Sequence, residues 1–184
     1  MRFLFVDEIL ELVPGQRIKA VKKLSREEDF FDDHFPGFPV VPGVLLTEMM
    51  AQATGKCLDA EKRPRGKAML AQINKASFRR WMEPDQKAVI GADIKANRDQ
   101  YATASCYVEI EGEKICSAEL MFSFVPMTRF SSSFREHTKN FTRIRVVRKC
   151  PNCVGNARFT GSCKPKRPAS TEAQCAIDPR PEGG

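Results

Sequence analysis

The chain has 184 residues, 42% hydrophobic and 29% charged, which suits one domain with a real core, or one domain with an appendage. No apolar run approaches the roughly 18–20 residues of a membrane-spanning helix, which excludes integral helical membrane proteins, and Asp7 and Glu8 cut the opening apolar stretch short of a secretory signal. The net charge of +7 is uneven: residues 1–126 hold 18 Lys+Arg against 19 Asp+Glu, and residues 127–184 hold 12 against 4.

The first segment reads as a β-hairpin. Apolar residues from Phe3 to Leu12 meet a turn at Pro14-Gly15, after which Ile18, Ala20 and Leu24 recur with a period near two. A loop rich in carboxylates, Ser25 to Asp33, leads into His34-Phe35-Pro36-Gly37-Phe38-Pro39-Val40-Val41-Pro42-Gly43. Its prolines fix φ and push their predecessors out of the helical region, so this stretch is extended and stiff. From Pro42 to about Asp59 the spacing predicts a helix, with proline as its start signal. It is apolar almost all round, which marks it as buried.

Four strands follow: Met69–Phe78, Lys87–Ala96, Tyr101–Ile110 and Lys114–Val125. In the third, Ala102, Ala104, Cys106, Val108 and Ile110 share one face; Glu111-Gly112-Glu113 turns into the fourth, where Cys116, Ala118, Leu120, Phe122 and Phe124 share another. The order β-β-α-β-β-β-β describes an α+β fold, an antiparallel sheet wrapped round one long central helix.

Three residues in this frame have chemistry to offer. Glu48 lies among Leu45, Leu46, Met49 and Ala51. Burial there disfavours the charged carboxyl, and a protonated carboxyl is a general acid; the alternative is a carboxylate that only faces water. His34 is the one histidine of residues 1–126 and a candidate general base, although a lone histidine is more often structural. Gly43 at the helix start permits close approach to free N–H groups that can hold a developing oxyanion. Base, acid and oxyanion donor suffice to remove a proton α to a carbonyl and expel a β-hydroxyl.

The run from Phe30 to Ala53 closely resembles the FabZ-type 3-hydroxyacyl-[acyl carrier protein] dehydratases in its His34-Phe35-Pro36-Gly37, Pro42-Gly43-Val44-Leu45 and Glu48-Met49-Met50-Ala51-Gln52 elements. The opening Phe5-Val6-Asp7-Glu8-Ile9 and the later Lys75-Ala76-Ser77-Phe78-Arg79-Arg80 fit the same family, so the resemblance covers residues 2–125. It implies the hot-dog fold and a homodimer, alone or as a trimer of dimers, whose sites pair His34 of one subunit with Glu48 of the other. It also implies an acyl chain in a tunnel beside the central helix, attached through phosphopantetheine to acyl carrier protein. Phe35, Pro42, Gln52, Lys75, Arg79 and Arg80 are assigned to contact substrate or carrier. Glutamate at position 48 favours the dehydratase over the related dehydratase/isomerase. The expected reaction converts (3R)-3-hydroxyacyl thioesters to trans-2-enoyl thioesters in fatty acid biosynthesis, without metal or redox cofactor. The rivals are a hot-dog acyl thioesterase and a non-catalytic acyl-binding or regulatory module.

Three departures stand out. Asp33 replaces the usual glycine before the histidine, Pro84-Asp85 lacks the glycine of the family's turn, and the chain begins at its first strand. The domain is expected to span 1–126, with 127–184 a basic, disordered extension that has no counterpart in the family. Within it Cys150-Pro151-Asn152-Cys153 has the spacing of half a zinc knuckle, with Cys163 and Cys175 as further thiols. The wide second interval departs from the paired couples of structural zinc sites, and no metal is assigned. Nucleic-acid contact by Arg143, Arg145, Arg148 and Lys149 is not expected either. Seven cysteines in no secreted disulfide pattern place the chain in the cytoplasm.

Overall fold

The computed structural model describes residues 3–61, 66–133 and 145–146. The strands and helices in chain order are β1 (Glu8–Val13), β2 (Arg17–Lys23), α1 (Phe30–Asp33), α2 (Gly43–Asp59), β3 (Lys67–Phe78), β4 (Lys87–Asn97), β5 (Tyr101–Ile110), β6 (Glu113–Val125) and β7 (Arg145–Val146). They form one sheet in the order β3-β6-β5-β4-β2-β1-β7, antiparallel throughout except for the short parallel pair β1–β7.

Helix α2 begins directly after Pro42, as the sequence predicts, because proline supplies no N–H and none is needed there. It packs against β2, β3, β4, β5 and β6, and its residues Leu46, Thr47, Met49, Met50, Ala51, Ala53, Thr54, Gly55, Cys57 and Leu58 are buried. Small side chains let it lie close to the sheet. The facing strands answer in kind, with Ala92, Cys106 and Ala118 in register across β4, β5 and β6. Two hydroxyls are buried in α2 and both bond within the helix: Thr54 Oγ1 donates to the Met50 carbonyl (2.7 Å) and Thr47 Oγ1 to that of Gly43 (3.3 Å).

The alternation in β5 is complete, with Ala102, Ala104, Cys106, Val108 and Ile110 all buried. In β6, Cys116, Ala118, Leu120 and Phe122 are buried and Phe124 packs at the margin.

Three local readings differ from expectation. The first strand starts at Glu8 rather than Phe3, because the Phe5 N–H bonds to the Gln52 side chain (2.9 Å) and not to a neighbouring strand. The acidic loop contains a helical turn, α1, since Phe31 is drawn into the core. A seventh strand, β7, lies beside β1, with Glu8 opposite Arg145 and Ile9 opposite Val146.

The turn at Pro84-Asp85 survives without its glycine because Asp85 itself takes φ 63°, and aspartate tolerates the left-handed region better than most residues. At the β5–β6 hairpin both central residues are left-handed, Glu111 at φ 53° and Gly112 at φ 85°, the geometry that favours Asn-Gly. Glutamate at the first position is strained. Glu111→Asn is therefore expected to stabilise the protein by up to about 1 kcal/mol, raising the thermal midpoint by roughly 2–4 °C. An unchanged or lower midpoint would contradict this account of the turn.

Candidate active site

The stiff segment after α1 fixes His34. Its N–H donates to the Phe30 carbonyl (3.0 Å), closing α1, and its carbonyl accepts from Val40 N–H (3.0 Å). The His34–Phe35 peptide is cis. Phe35 and Phe38 exchange both backbone bonds (3.2 and 2.9 Å), so the intervening Pro36-Gly37 forms a tight reversal. Val41 N–H donates to the Met82 carbonyl (2.8 Å), tying the segment to the sheet's far loop.

The ring of His34 is oriented by the same loop. Nδ1 lies 3.0 Å from the Val40 carbonyl oxygen. A carbonyl can only accept, so Nδ1 carries the proton of the neutral ring and Nε2 carries the lone pair. Phe35 stacks on the imidazole at 4.2 Å between centroids. His34 is half-buried, with its base nitrogen defined by a backbone atom. Asp33 is exposed at the end of α1, so the side chain that replaces glycine points away from the core.

Glu48 sits one turn into α2, half-buried rather than enclosed. Its Oε1 accepts from Gln52 Nε2 at 2.9 Å. Gln52, assigned from the sequence to contact substrate, has both ends of its amide engaged within the chain: Oε1 accepts from Phe5 N–H and Nε2 also donates to the Phe3 carbonyl (3.3 Å).

Gly43 is the first residue of α2, where helix geometry leaves the N–H groups without intrahelical acceptors. The Phe78 ring covers it so closely that a Cβ would lie 3.2–3.3 Å from three ring carbons. Pro42 precedes it as the helix cap. Of the remaining assigned residues, Lys75 is exposed on β3, Arg79 is exposed just beyond it, and Arg80 pairs with Glu113.

Among the described residues no hydrogen bond or ion pair joins His34 and Glu48, and neither lines the open depression of about 520 Å³ at Gly15, Gln16, Arg17, Asp93, Ile94, Lys95 and Asn97. That hollow is polar, shallow and at the β1–β2 turn, away from every acid–base candidate. Among the described residues no cluster of three or more His, Cys, Asp or Glu could hold a metal, and no helix is long and apolar enough to cross a membrane. The zinc candidates Cys150, Cys153, Cys163 and Cys175 lie outside the described residues. Two features escaped the sequence: the Val40 carbonyl, a main-chain atom no side chain reveals, and the Phe78 cover on Gly43. The spacing of four between Glu48 and Gln52 was a visible signal of their pairing.

A family model described as a FabA-like domain matches residues 1–119. The chain belongs to that family. A relative from Oenococcus oeni named 3-hydroxyacyl-[acyl-carrier-protein] dehydratase FabZ is 40% identical over 120 residues, covering 65% of this chain and 86% of the relative. One of the same name from Bacillus pumilus is 35% identical over 125 residues, covering 67% and 87%. Among solved structures, a chain of the dehydratase heterocomplex ApeI:P from Xenorhabdus doucetiae matches with TM-score 0.50 at 13% identity, covering 61% of this chain and 92% of that one. A hypothetical thioesterase from Streptococcus pneumoniae solved with coenzyme A matches with TM-score 0.52 at 11% identity, covering 65% and 88%. The fold is the hot-dog, shared with a chain of a dehydratase complex and with a hypothetical thioesterase, so fold alone does not choose the reaction.

The three described cysteines are no part of this chemistry. Burial pushes the thiols of Cys57, Cys106 and Cys116 each from 9.0 up to about 11, against weaker opposing hydrogen bonds. They are neutral near pH 7, and in native protein at pH 8 iodoacetamide is expected to leave all three unlabelled. The folded state holds these protons while the unfolded chain releases them, so the stabilisation is intact below about pH 9 and is lost as pH rises towards 11. Urea midpoints measured from pH 8 to 11 should fall, less steeply once the three are replaced by alanine. Labelling of Cys57, Cys106 or Cys116 in native protein, or an unchanged slope in the triple variant, would count against this.

Proposed function

We propose that this protein dehydrates (3R)-3-hydroxyacyl thioesters on acyl carrier protein to trans-2-enoyl thioesters in fatty acid biosynthesis, acting in the cytoplasm. The observation that carries the reading is the His34 ring, whose Nδ1–H to Val40 bond leaves Nε2 as a base of fixed direction. Nε2 takes the C2 proton, and the freed electron pair becomes the C2–C3 double bond. The thioester oxygen gains charge as this happens, facing the N–H of Gly43. The C3–O bond breaks and Glu48 supplies the proton with which the hydroxyl leaves as water. No electrons are gained or lost overall, so general acid–base catalysis suffices without metal or redox cofactor.

The acid comes from a second copy of the chain in this reading. β3 is an edge strand, yet Met69, Leu70 and Ile73 on it are 42%, 39% and 48% exposed. A long apolar edge is a pairing surface. Two copies joined there would continue the sheet, cover these side chains and enclose the acyl chain. Lys75, Arg79 and Arg80 lie along and just beyond this strand, where cations would meet an acidic carrier. Residues 1–126 form the catalytic domain in this proposal, with 127–184 accessory to it.

The test is turnover of a 3-hydroxyacyl-carrier substrate followed by enoyl absorbance, with free thiol assayed alongside to detect a thioesterase. His34→Ala and Glu48→Gln are each expected to lower kcat about 100-fold or more. Near-normal dehydration by either folded variant, or thiol release in place of enoyl product, sinks the proposal. Mixing the two inactive variants should restore part of the activity, because a mixed dimer has one site with both groups intact. Background activity after confirmed subunit exchange would refute the shared site.

Truncation after Met127 is expected to preserve kcat at saturating substrate, with any loss confined to kcat/KM and shrinking as salt rises. Loss of kcat in a folded truncation would place the extension inside the catalytic domain.

A further inference from the structure

We infer that Gln52 is a positioning residue for Glu48, and that the backbone at Phe3 and Phe5 dictates how: the carboxamide is locked with its NH2 on Glu48 Oε1, which directs the acidic proton to Oε2. The inference rests on the dehydratase reading, in which Glu48 is the acid.

Three hydrogen bonds define the arrangement. Gln52 Oε1 accepts from Phe5 N–H at 2.9 Å; Gln52 Nε2 donates to Glu48 Oε1 at 2.9 Å and to the Phe3 carbonyl at 3.3 Å. Two of these partners have fixed character, since an amide N–H can only donate and a carbonyl can only accept. Turning the carboxamide over would set NH2 against the Phe5 N–H and oxygen against both the Phe3 carbonyl and the Glu48 carboxyl. Both backbone bonds would be lost and replaced by repulsions, whatever the protonation of Glu48. The orientation therefore does not depend on the charge of Glu48; the main chain imposes it.

The anchor behind this arrangement is stiff. Phe5 is fully buried and Val6 nearly so, and Asp7 N–H donates to the Val21 carbonyl (2.9 Å). Residues 3–5 lie outside the sheet, which frees their backbone groups for the side chain of α2. Positions 48 and 52 are one turn apart on one helix face. Glutamine is long enough to reach back to Glu48 while bonding the segment beside it; glutamate lacks the donor and methionine lacks both polar ends.

A protonated carboxyl has one acceptor oxygen and one hydroxyl oxygen. With Gln52 donating to Oε1, that oxygen serves as the acceptor and the proton belongs on Oε2, for which no described residue offers a hydrogen bond. Oε2 is thus the atom left to face a departing hydroxyl. Once the proton has gone, the same N–H meets a carboxylate and the bond becomes charge-assisted, which favours the transfer.

The experiment is a double-mutant cycle on kcat. Gln52→Met is expected to lower kcat about 10-fold to 100-fold with KM changed by less than about threefold, and to cost nothing further when Glu48 is already Gln, because a residue acting only through Glu48 has nothing left to position. Gln52→Glu is the second variant. It keeps an acceptor for Phe5 N–H, so that N–H is not left unpaired, but it removes the NH2 that donates to Glu48 and to the exposed Phe3 carbonyl, and it should give the same pattern. Circular dichroism and thermal midpoints confirm that assays run on folded protein. Unchanged kcat in either folded Gln52 variant, or an equal fold-loss with and without the Glu48 carboxyl, overturns the inference. Full turnover by Glu48→Gln itself would instead remove Glu48 as the acid, and the positioning role with it.

Discussion

The face of a helix that packs on a sheet cannot hand its polar groups to water, and that constraint governs the molecule. Thr47 and Thr54 satisfy it by bonding back to the preceding turn. The C-terminal end of α2 satisfies it through its neighbours: Gly15 N–H takes the Cys57 carbonyl (3.0 Å), and Asp59 accepts from Ala68 N–H (3.0 Å) and from Lys67. The bonds at this end fasten α2 to the β1–β2 turn and to the start of β3. A helix tied in this way can present a carboxyl, and the N–H of Gly43 at its start, in a constant geometry. Preorganisation of that kind is what an acid–base site requires.

The same enclosure explains why one chain looks unfinished. Inside the wrap β5 buries a regular alternation of side chains, and β4 and β6 bury most of theirs. At β3 the pattern fails: apolar residues stay exposed along an edge strand that carries two register shifts. Among the described residues no hydrogen bond or ion pair joins Glu48 to His34 within one copy. In the proposed dimer, a second copy at the β3 edge would cover the exposed β3 side chains and bring Glu48 of one chain to His34 of the other.

The regular parts of this architecture were legible in the sequence because they rest on periodicity and on proline. Pro42 announced the start of α2, and the alternation from Ala102 to Ile110 announced β5. What remained hidden depends on partners remote in sequence. Phe3–Leu12 reads as one strand until Gln52, 47 residues beyond Phe5, is seen to take the Phe5 N–H. The turn at α1 is invisible until a core exists to bury Phe31. For the site, residue type and the resemblance indicated His34, Glu48 and Gly43, but the atoms that aim them could not be read. A backbone carbonyl leaves no mark in the sequence that would associate it with a histidine six residues earlier.

Those atoms suggest a common design for acid and base. His34 takes its tautomer from the carbonyl of Val40, and Glu48 takes its direction from an amide that Phe3 and Phe5 hold by their main chain. In both cases the last fixed point is a backbone group, which survives most substitutions of the residue bearing it. Side chains at Val40 and Phe5 serve a different purpose, packing into the core, and so keep those backbone groups in place. Packing and catalysis are thereby coupled through single residues. A large-to-small change at either position acts on the site indirectly, by loosening the carbonyl or the N–H that does the aiming, whereas a volume-conserving change leaves the aim intact. In the proposed reaction the core would thus aim acid and base without contributing a side chain to either.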